Sequence, residues 1–417
     1  MRQGRRRWGL LLAFAFAAVL VSGGWSWWNY WRYRSALEQI ESEITAGRFV
    51  IACRNLEKLL SRESDPKGRI AYLLGSCELA RGRHQAANAA WARIVPGYAF
   101  SQRAIEGRVR LLHESGQLAA AEQLVSDAGL DPRNDQTALR VLLVPIYREQ
   151  GRIGEAERLI EERWEYLNAS GEGALEPAIR LVREHIELTL KATPVETTRA
   201  LLEQDTQHAS DDDRVWLGRA NLAIRTSAFD EAKRWLDACE GRRPADLPVW
   251  HARLSWGIAT DQTDVVKRAM THMPAAEPNS AALHRLNAWF AARRDDVATE
   301  RLELELLVAA DPADVTAVGR LAELATEEGQ PARAAELGRK KANIDRLHAR
   351  FLKLHDRTQP IRDATDLARL AEQLGRRFEA RVFLTIAISQ RPERADLRRD
   401  LERLTATVAA PAVVSRR

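Results

Sequence analysis

The side chains that could catalyse a reaction or bind a metal are scattered along this 417-residue sequence. The sequence contains no G-x-x-x-x-G-K-[ST] phosphate loop, no H-E-x-x-H helix and no G-x-S-x-G nucleophile turn. His348 and His355 are seven residues apart and would share a helix face, but a metal site needs further ligands at matched geometry. Glu184 and His185 have no nucleophile near them, and we interpret them as ordinary helix surface. We therefore predict a non-enzymatic chain with no catalytic residue, no metal ligand and no cofactor.

A basic segment at 339–357 is the most distinctive charged feature. It holds seven lysines and arginines against Asp345 and Asp356, so its net charge of +5 equals that of the whole chain. On a helix, four of these cations lie at i, i+4, i+7 and i+11 and form one stripe, namely Arg346, Arg350, Lys353 and Arg357. The adjacent stripe is apolar and consists of Ile344, Leu347, Phe351 and Leu354. Two interpretations stay open: a docking face for an acidic partner or anionic lipid headgroups, and a solvated outer helix face.

The element that organises the chain is a pair of short helices, best seen in the segment 366–392. Leucines at helical spacing form one face of the first helix, and Gly375 supplies the left-handed residue that ends it. Pro392 stops the second helix, and Ala380 lies where the two helices should cross, so that their backbones can approach. A pair this small cannot bury its own apolar face, and we therefore expect a similar pair on each side.

Such pairs recur along the chain. A turn residue followed five positions later by alanine occurs at Gly47/Ala52, Gly82/Ala87, Gly116/Ala121, Gly151/Ala156, Ser227/Ala232, Gly329/Ala334 and Gly375/Ala380. Between Ser227 and Gly329 the phase continues at Asp261 and Asp295 in steps of 34 residues. The excess of 12 residues between the last two turns predicts that a second helix is lengthened through about Leu354.

A period of 34 residues with helix–turn–helix content is the signature of the tetratricopeptide repeat (TPR), and the sequence resembles a TPR protein over roughly residues 35–405. The second unit fits well, with Leu74 and Gly75 in its first helix and Ala87 and Trp91 in its second. Other units depart from the pattern, since the alanine position is filled by Thr198, Val266 and Glu300.

The resemblance implies an all-α, right-handed TPR-like solenoid of about ten helix pairs, with a groove that holds a protein or peptide partner. Seven tryptophans within the array either line that groove or fill the core between helices, which is the commoner role: Trp91, Trp164, Trp216, Trp235, Trp250, Trp256 and Trp289. The net charge of +5 is too small an excess over 417 residues to indicate nucleic acid, and nothing indicates a small-molecule ligand.

The N-terminus indicates a membrane anchor of bacterial type. Four arginines within residues 1–7 precede the uncharged segment 8–31, whose 24 residues are long enough to cross a bilayer as a helix. Tryptophan and tyrosine cluster at the end of this segment, where amphipathic rings prefer the interface. The arginines predict that residues 1–7 stay in the cytoplasm, which places the repeats on the periplasmic side of the inner membrane. A cleaved signal peptide and a buried helix are the alternatives.

The predicted organisation is therefore a basic tip at 1–7, a transmembrane signal anchor at 8–31, a solenoid at 35–405 and a disordered tail at 406–417. Cys53 and Cys77 fall on helices expected to be neighbours, so they form a disulfide in an exported domain or remain buried thiols. We predict a membrane-tethered scaffold that binds a protein partner outside the cytoplasm. The alternative is a membrane-surface or envelope-complex assembly factor that uses the basic segment 339–357.

Overall fold

All regular structure in the described part of the chain is helical. The computed structural model describes residues 27–28, 31–62, 65, 68–170, 175–275 and 277–409, and these ranges contain no strand. The helices are α1 (31–45), α2 (Phe49–Arg62), α3 (Arg69–Ala80), α4 (His84–Trp91), α5 (Ser101–Glu114), α6 (Leu118–Gly129), α7 (Gln136–Val141), α8 (Val144–Glu149), α9 (Ile153–Ala169), α10 (Leu175–Leu190), α11 (Val195–His208), α12 (Asp213–Arg225), α13 (Phe229–Arg242), α14 (Leu247–Ala259), α15 (Thr263–Thr271), α16 (Ala281–Ala292), α17 (Val297–Ala310), α18 (Val315–Glu327), α19 (Pro331–His355), α20 (Pro360–Gln373), α21 (Arg377–Gln390) and α22 (Ala395–Ala409).

The turns between paired helices confirm the predicted repeat phase. Six of the turn positions are glycines with φ between 67° and 74°: Gly47, Gly82, Gly116, Gly151, Gly329 and Gly375. The three non-glycine turn residues adopt the same left-handed conformation, with φ of 59° at Ser227, 60° at Asp261 and 54° at Asp295. This conformation is strained for a residue with a Cβ, and it reverses the chain within one residue. The 34-residue spacing therefore corresponds to a repeated backbone geometry.

The position five residues after each turn is where the second helix crosses the first. Six of the seven predicted alanines at this position are fully buried, namely Ala52, Ala87, Ala121, Ala156, Ala232 and Ala380. The seventh, Ala334, is only half-buried because it lies near the start of the largely exposed α19. The substitutes Val266, Thr198 and Glu300 are also buried, so the position keeps its packing role when the residue type changes.

The chain divides into two compact units, formed by residues 1–115 with 120–139 and by residues 116–119 with 140–417. In the first unit, α3 packs against α4 and α2. Gly75 is needed there because a Cβ at this position would lie 2.3 Å from Nε1 of Trp91 on α4. Cys53 and Cys77 lie in one apolar cluster of this unit as free, buried thiols.

The second unit contains five well-packed pairs in succession: α12 with α13, α14 with α15, α16 with α17, α18 with α19, and α20 with α21. Carboxylate and hydroxyl side chains cap the N-termini of several of these helices. The side chain of Asp212 accepts hydrogen bonds from the amides of Arg214 and Val215 at the start of α12. Asp314 caps α18 in the same way, through the two amides at the start of that helix. Such caps satisfy amides that have no partner within the helix.

One contact in the second unit departs from the expected stacking of nearest neighbours. Helix α10 packs against α9 and against α21, which is almost two hundred residues further along the chain, and it has little contact with α11. A helix near the end of this unit therefore packs against a helix near its beginning. Sequence spacing predicted contacts between adjacent pairs only, and this long-range contact was missed.

Three further predictions concern the N-terminal anchor, the C-terminal tail and the lengthened helix. No helix among the described residues is both long and apolar enough to span a bilayer, and the predicted anchor at 8–31 lies outside them except for positions 27, 28 and 31. Helix α22 continues to Ala409, so it covers the first four residues of the tail predicted at 406–417. The lengthened second helix is confirmed as α19, which has 25 residues.

Candidate functional site

The predicted basic stripe lies on the solvent side of α19 and just beyond it. Arg346, Arg350 and Lys353 are exposed on the helix, whereas the helix ends at His355 and the exposed Arg357 lies in the following turn. The predicted apolar stripe faces inward, with Ile344, Phe351 and Leu354 buried and Leu347 half-buried. Phe351 meets Phe383 of α21 edge-on, with ring centroids 6.3 Å apart. This packing points the cations away from the core.

The middle of α19 is exposed on every side. Residues 338–343, which make more than one full turn, are all exposed, and they include Arg339, Lys340 and Lys341. A helix exposed on all faces is held by its packed ends, here near Leu337 and Phe351. The segment presents cations to solvent in several directions.

The carboxylates near this surface do not neutralise it. Within the described part of the chain, the four cations of the stripe form no ion pair. Asp356, the acid in the adjoining turn, instead lies 2.8 Å from Nζ of Lys191, and this ammonium lowers the pKa of Asp356. The surface therefore keeps its positive charge.

A groove in the second unit is a second candidate site. It consists of two adjoining cavities of about 450 Å³ and 560 Å³, which share the lining residues Gly151, Ile153, Asn221 and Ser255. Asn221 on α12 and Ser255 on α14 are 34 residues apart and occupy the same place in successive repeats. The groove therefore runs along the first helices of successive pairs, where the TPR resemblance places a binding surface.

The turn at Gly151 brings its backbone close to α12. Its φ is +74°, and a Cβ there would lie 3.1 Å from Cβ of Asn221. The amide of Asn221 donates a hydrogen bond of 2.8 Å to the carbonyl of Gln150, which fixes the turn against the helix. This hydrogen bond joins two of the elements that line the groove.

Charged side chains around the groove are predominantly basic. Four arginines and two glutamates line it: Arg148, Arg152, Arg158, Arg225, Glu149 and Glu155. Arg152 is buried, pairs with Glu155 at 2.6 Å and stacks on the ring of Tyr147. Glu149 is buried beside Asp205, whose pKa is raised to about 8 by burial and by this neighbouring carboxyl. The remaining three arginines are exposed.

His251 lies in the larger of the two cavities. Burial lowers its pKa, and the neighbouring Arg158 and Arg152 act in the same direction, against the opposing effect of Glu155. The lowered pKa favours the neutral imidazole at pH 7.

A third cavity, of about 620 Å³, lies between α13, α14 and α15, and its charged side chains are paired with one another. Arg253 pairs with Asp237 and with Glu240, and Arg268 also pairs with Glu240. This internal pairing leaves little charge to recognise a ligand.

A buried polar cluster joins α10 to α21, and sequence reasoning missed it. His185 is 4% exposed, which corrects its interpretation as helix surface. Its Nδ1 lies 3.0 Å from Oε1 of Glu379, and Arg376 contacts both Glu379 and the hydroxyl of Thr189. Its Nε2 lies 3.7 Å from Glu161, which is within ion-pair range but long for a hydrogen bond. His185 and Glu379 are buried at the centre of the cluster, which ties two helices together.

The prediction that the tryptophans fill the core is confirmed for four of the seven. Trp91, Trp164, Trp250 and Trp256 are buried, and Trp216, Trp235 and Trp289 are half-buried. None of them lines the two cavities of the groove.

Among the described residues, no group of three or more histidine, cysteine or carboxylate side chains is placed to hold a metal ion.

Comparison with known proteins gives similarity of structure only. No family model matches the sequence, and no curated protein matches it. Similar solved structures include the APC/C hetero-tetramer Cut9–Hcn1, with a TM-score of 0.33 and 10% identity over 89% of this chain and 96% of that chain. Yeast Tom70 has a TM-score of 0.28 and 10% identity over 91% of this chain and 97% of that chain. A tetratricopeptide repeat protein from Parabacteroides merdae has a TM-score of 0.27 and 14% identity over 70% and 98% of the two chains. These scores and identities are low, and we draw no conclusion from them about ligands or partners.

Proposed function

We propose that this chain is a non-catalytic TPR-like scaffold that is tethered to a bacterial inner membrane by residues 8–31 and binds a protein partner outside the cytoplasm. The observation that carries the proposal is the groove along the first helices of successive pairs, with Asn221 and Ser255 one repeat apart in its floor. A concave surface with exposed arginines is suited to holding a segment of another protein.

The polar groups buried in the described residues support a structural rather than a catalytic role. His185 and Arg376 both contact Glu379 across a helix interface, and Arg253 pairs with Asp237 beside the third cavity. In each case the charged groups contact other side chains of this chain instead of a position where a substrate atom could lie.

The tether and its orientation rest on the sequence of residues 1–31. Protease added to spheroplasts that express the full chain should digest the repeats, while a tag placed before Arg2 stays protected until the membrane is permeabilised. Protection of the repeats in intact spheroplasts would contradict the orientation. Release of the repeats as a soluble protein would instead favour the cleaved signal peptide.

Partner binding is tested by chemical cross-linking in membranes, followed by purification of the full chain in detergent. A partner in stoichiometric amount is expected with the native chain. Exchange of Arg148, Arg158 and Arg225 for glutamate should release it, because these arginines line the groove. A partner retained equally by both proteins would place the binding surface elsewhere.

The exposed basic helix favours a second candidate function, the docking of α19 on anionic lipid headgroups. The observation that favours it is the exposure of residues 338–343 on all sides, together with the stripe of Arg346, Arg350 and Lys353. Hydrogen exchange of the full chain in phosphatidylglycerol nanodiscs should then show protection of α19 that is absent in phosphatidylcholine nanodiscs. Equal exchange in the two lipids would exclude this function.

A further inference from the structure

We propose that the groove of the second unit, lined by Arg148, Arg158 and Arg225, binds an acidic, extended segment of a partner protein. This inference rests on the proposed function and adds to it the chemistry of the partner. The charges of the groove, their positions and the composition of the rest of the chain each point to this occupant.

The charge of the groove is positive because its carboxylates are engaged within the protein. Glu155 pairs with Arg152. Glu149 is buried in contact with the carboxyl of Asp205. Within the described residues, no carboxylate forms an ion pair with Arg148, Arg158 or Arg225, and all three are exposed. A ligand that supplies carboxylates would complete these pairs.

The positions of the arginines require more than one carboxylate. Arg148 and Arg225 line the smaller cavity, and Arg158 lines the larger one, with the shared floor between them. Apolar side chains line the same two cavities, including Leu188, Leu222 and Met273. A chain that carries aspartate or glutamate at separated positions, with apolar residues between them, matches this combination.

The segments at the two ends of the printed sequence do not carry the complementary charge. Residues 1–26 and 410–417 contain arginines but no aspartate or glutamate, so neither terminus complements the groove. Like charges would repel each other at this surface. We therefore assign the acidic segment to a partner protein.

The binding is tested with the full chain in detergent and a fluorescein-labelled peptide of about ten residues that alternates aspartate with leucine and alanine. Fluorescence anisotropy should show binding that weakens more than about tenfold when aspartate is replaced by asparagine, and again when salt is raised to about 0.5 M. Equal binding of the asparagine peptide would overturn the proposal.

Charge reversal locates the site. The triple variant Arg148→Glu, Arg158→Glu, Arg225→Glu should bind the acidic peptide about a hundredfold more weakly. The matched control Arg346→Glu, Arg350→Glu, Lys353→Glu makes the same change of charge on α19 and should bind within about twofold of the native chain. Equal weakening by both variants would show attraction to the overall charge and would overturn the proposal.

Folding of the variants is controlled separately, because Arg225 donates a hydrogen bond of 2.6 Å to the carbonyl of Thr193. The neutral variants Arg148→Gln, Arg158→Gln and Arg225→Gln should keep the native melting curve and still lose affinity. If the glutamine variants bind like the native chain, the arginines are not the recognition groups.

His251 gives an independent readout inside the groove. Carboxylates bound beside it should raise the pKa of its imidazole, which NMR measures and which the variant His251→Gln assigns. The asparagine peptide should leave this pKa unchanged. Tight binding of the acidic peptide without a shift at His251 would place the peptide outside the groove and refute the inference. If a partner still co-purifies with the triple variant, the inference about the acidic ligand fails while the proposed scaffold function is retained.

Discussion

Nδ1 of His185 on α10 lies 3.0 Å from Oε1 of Glu379 on α21, and 194 residues of sequence separate them. Both side chains are almost completely buried. Burial by itself disfavours the charged imidazole, but Glu161 and Glu379 outweigh it and raise the pKa of His185 to about 9. The same pairing lowers the pKa of Glu379 despite its burial. The pair is therefore charged at neutral pH and joins α21, near the end of the second unit, to α10, near its beginning.

The first prediction concerns the pH dependence of stability. A histidine whose pKa is raised on folding contributes stability that is fully present below its unfolded value of about 6.5 and is lost as pH rises through about 9. Urea unfolding from pH 6 to 9.5 should show the advantage of the native chain over His185→Gln shrinking across this window, by up to about 3 kcal/mol. An advantage that stays constant with pH would show that His185 is neutral in the folded protein.

The second prediction separates the two carboxylates beside His185. Glu379→Gln removes the buried partner and leaves an uncompensated charge, so it should lower the free energy of unfolding by about 3 kcal/mol. Glu161 is 3.7 Å away and has a half-exposed side chain, and Glu161→Gln should cost about 1 kcal/mol or less. Equal losses for the two variants in urea unfolding would contradict the assignment of Glu379 as the principal partner.

The third prediction concerns the close approach of α3 and α4. A Cβ at Gly75 would lie 2.3 Å from the Trp91 ring, which is held by a hydrogen bond of 3.1 Å from its Nε1 to the carbonyl of Tyr72. Gly75→Ala should therefore destabilise the chain by about 1–3 kcal/mol. Gly338→Ala is the matched control because nothing lies within 4 Å of the added Cβ, and it should stabilise α19 by about 0.5–1 kcal/mol. Thermal unfolding of both variants checks the difference in sign.

The fourth prediction concerns the turn at Asp295, a position where six other repeats have glycine. Asp295 has φ of 54°, a conformation that glycine adopts without strain. Asp295→Gly should raise the unfolding temperature, and Asp295→Ala should lower it by an amount that corresponds to about 1 kcal/mol. An alanine variant as stable as the glycine variant would show that the turn relaxes to another conformation.

The fifth prediction concerns the thiols. Burial raises the pKa of Cys77 and of Cys239 to about 12, so the reactive thiolate is scarce at pH 8. Ellman's reagent should modify the native chain very slowly and should detect all three cysteines after unfolding without reductant. Detection of one thiol after unfolding would show instead that Cys53 and Cys77 form a disulfide in the membrane-derived protein.

Local features of the fold were predictable because they depend on residues close in sequence. The conformation at Asp261 and at Ser227 follows from the repeat phase, although neither is a glycine. The length of α19 follows from the extra residues between Gly329 and Gly375. The apolar side of α19 is also a matter of helical spacing alone, and Ile344 and Phe351 are buried as predicted.

The groove and the buried cluster were not predictable in this way. Arg158 and Arg225 have no distinctive spacing in the sequence, and they line one groove because α9 and α12 are brought together by the stacking of pairs. The unusual neighbours of His185 lie on another helix, so its sequence context resembles any polar helix surface.

The amino-acid sequence by itself determined the helical pairs, their turns and the residues at each helix crossing, since these depend on contacts within a few turns of the chain. Only the tertiary structure decided which surfaces of distant pairs meet. The contact of α10 with α21 and the meeting of Arg148 and Arg225 at one cavity both depend on how successive pairs stack. Small rotations between successive pairs add up along an array, so the sequence of one repeat does not determine the relative position of distant pairs.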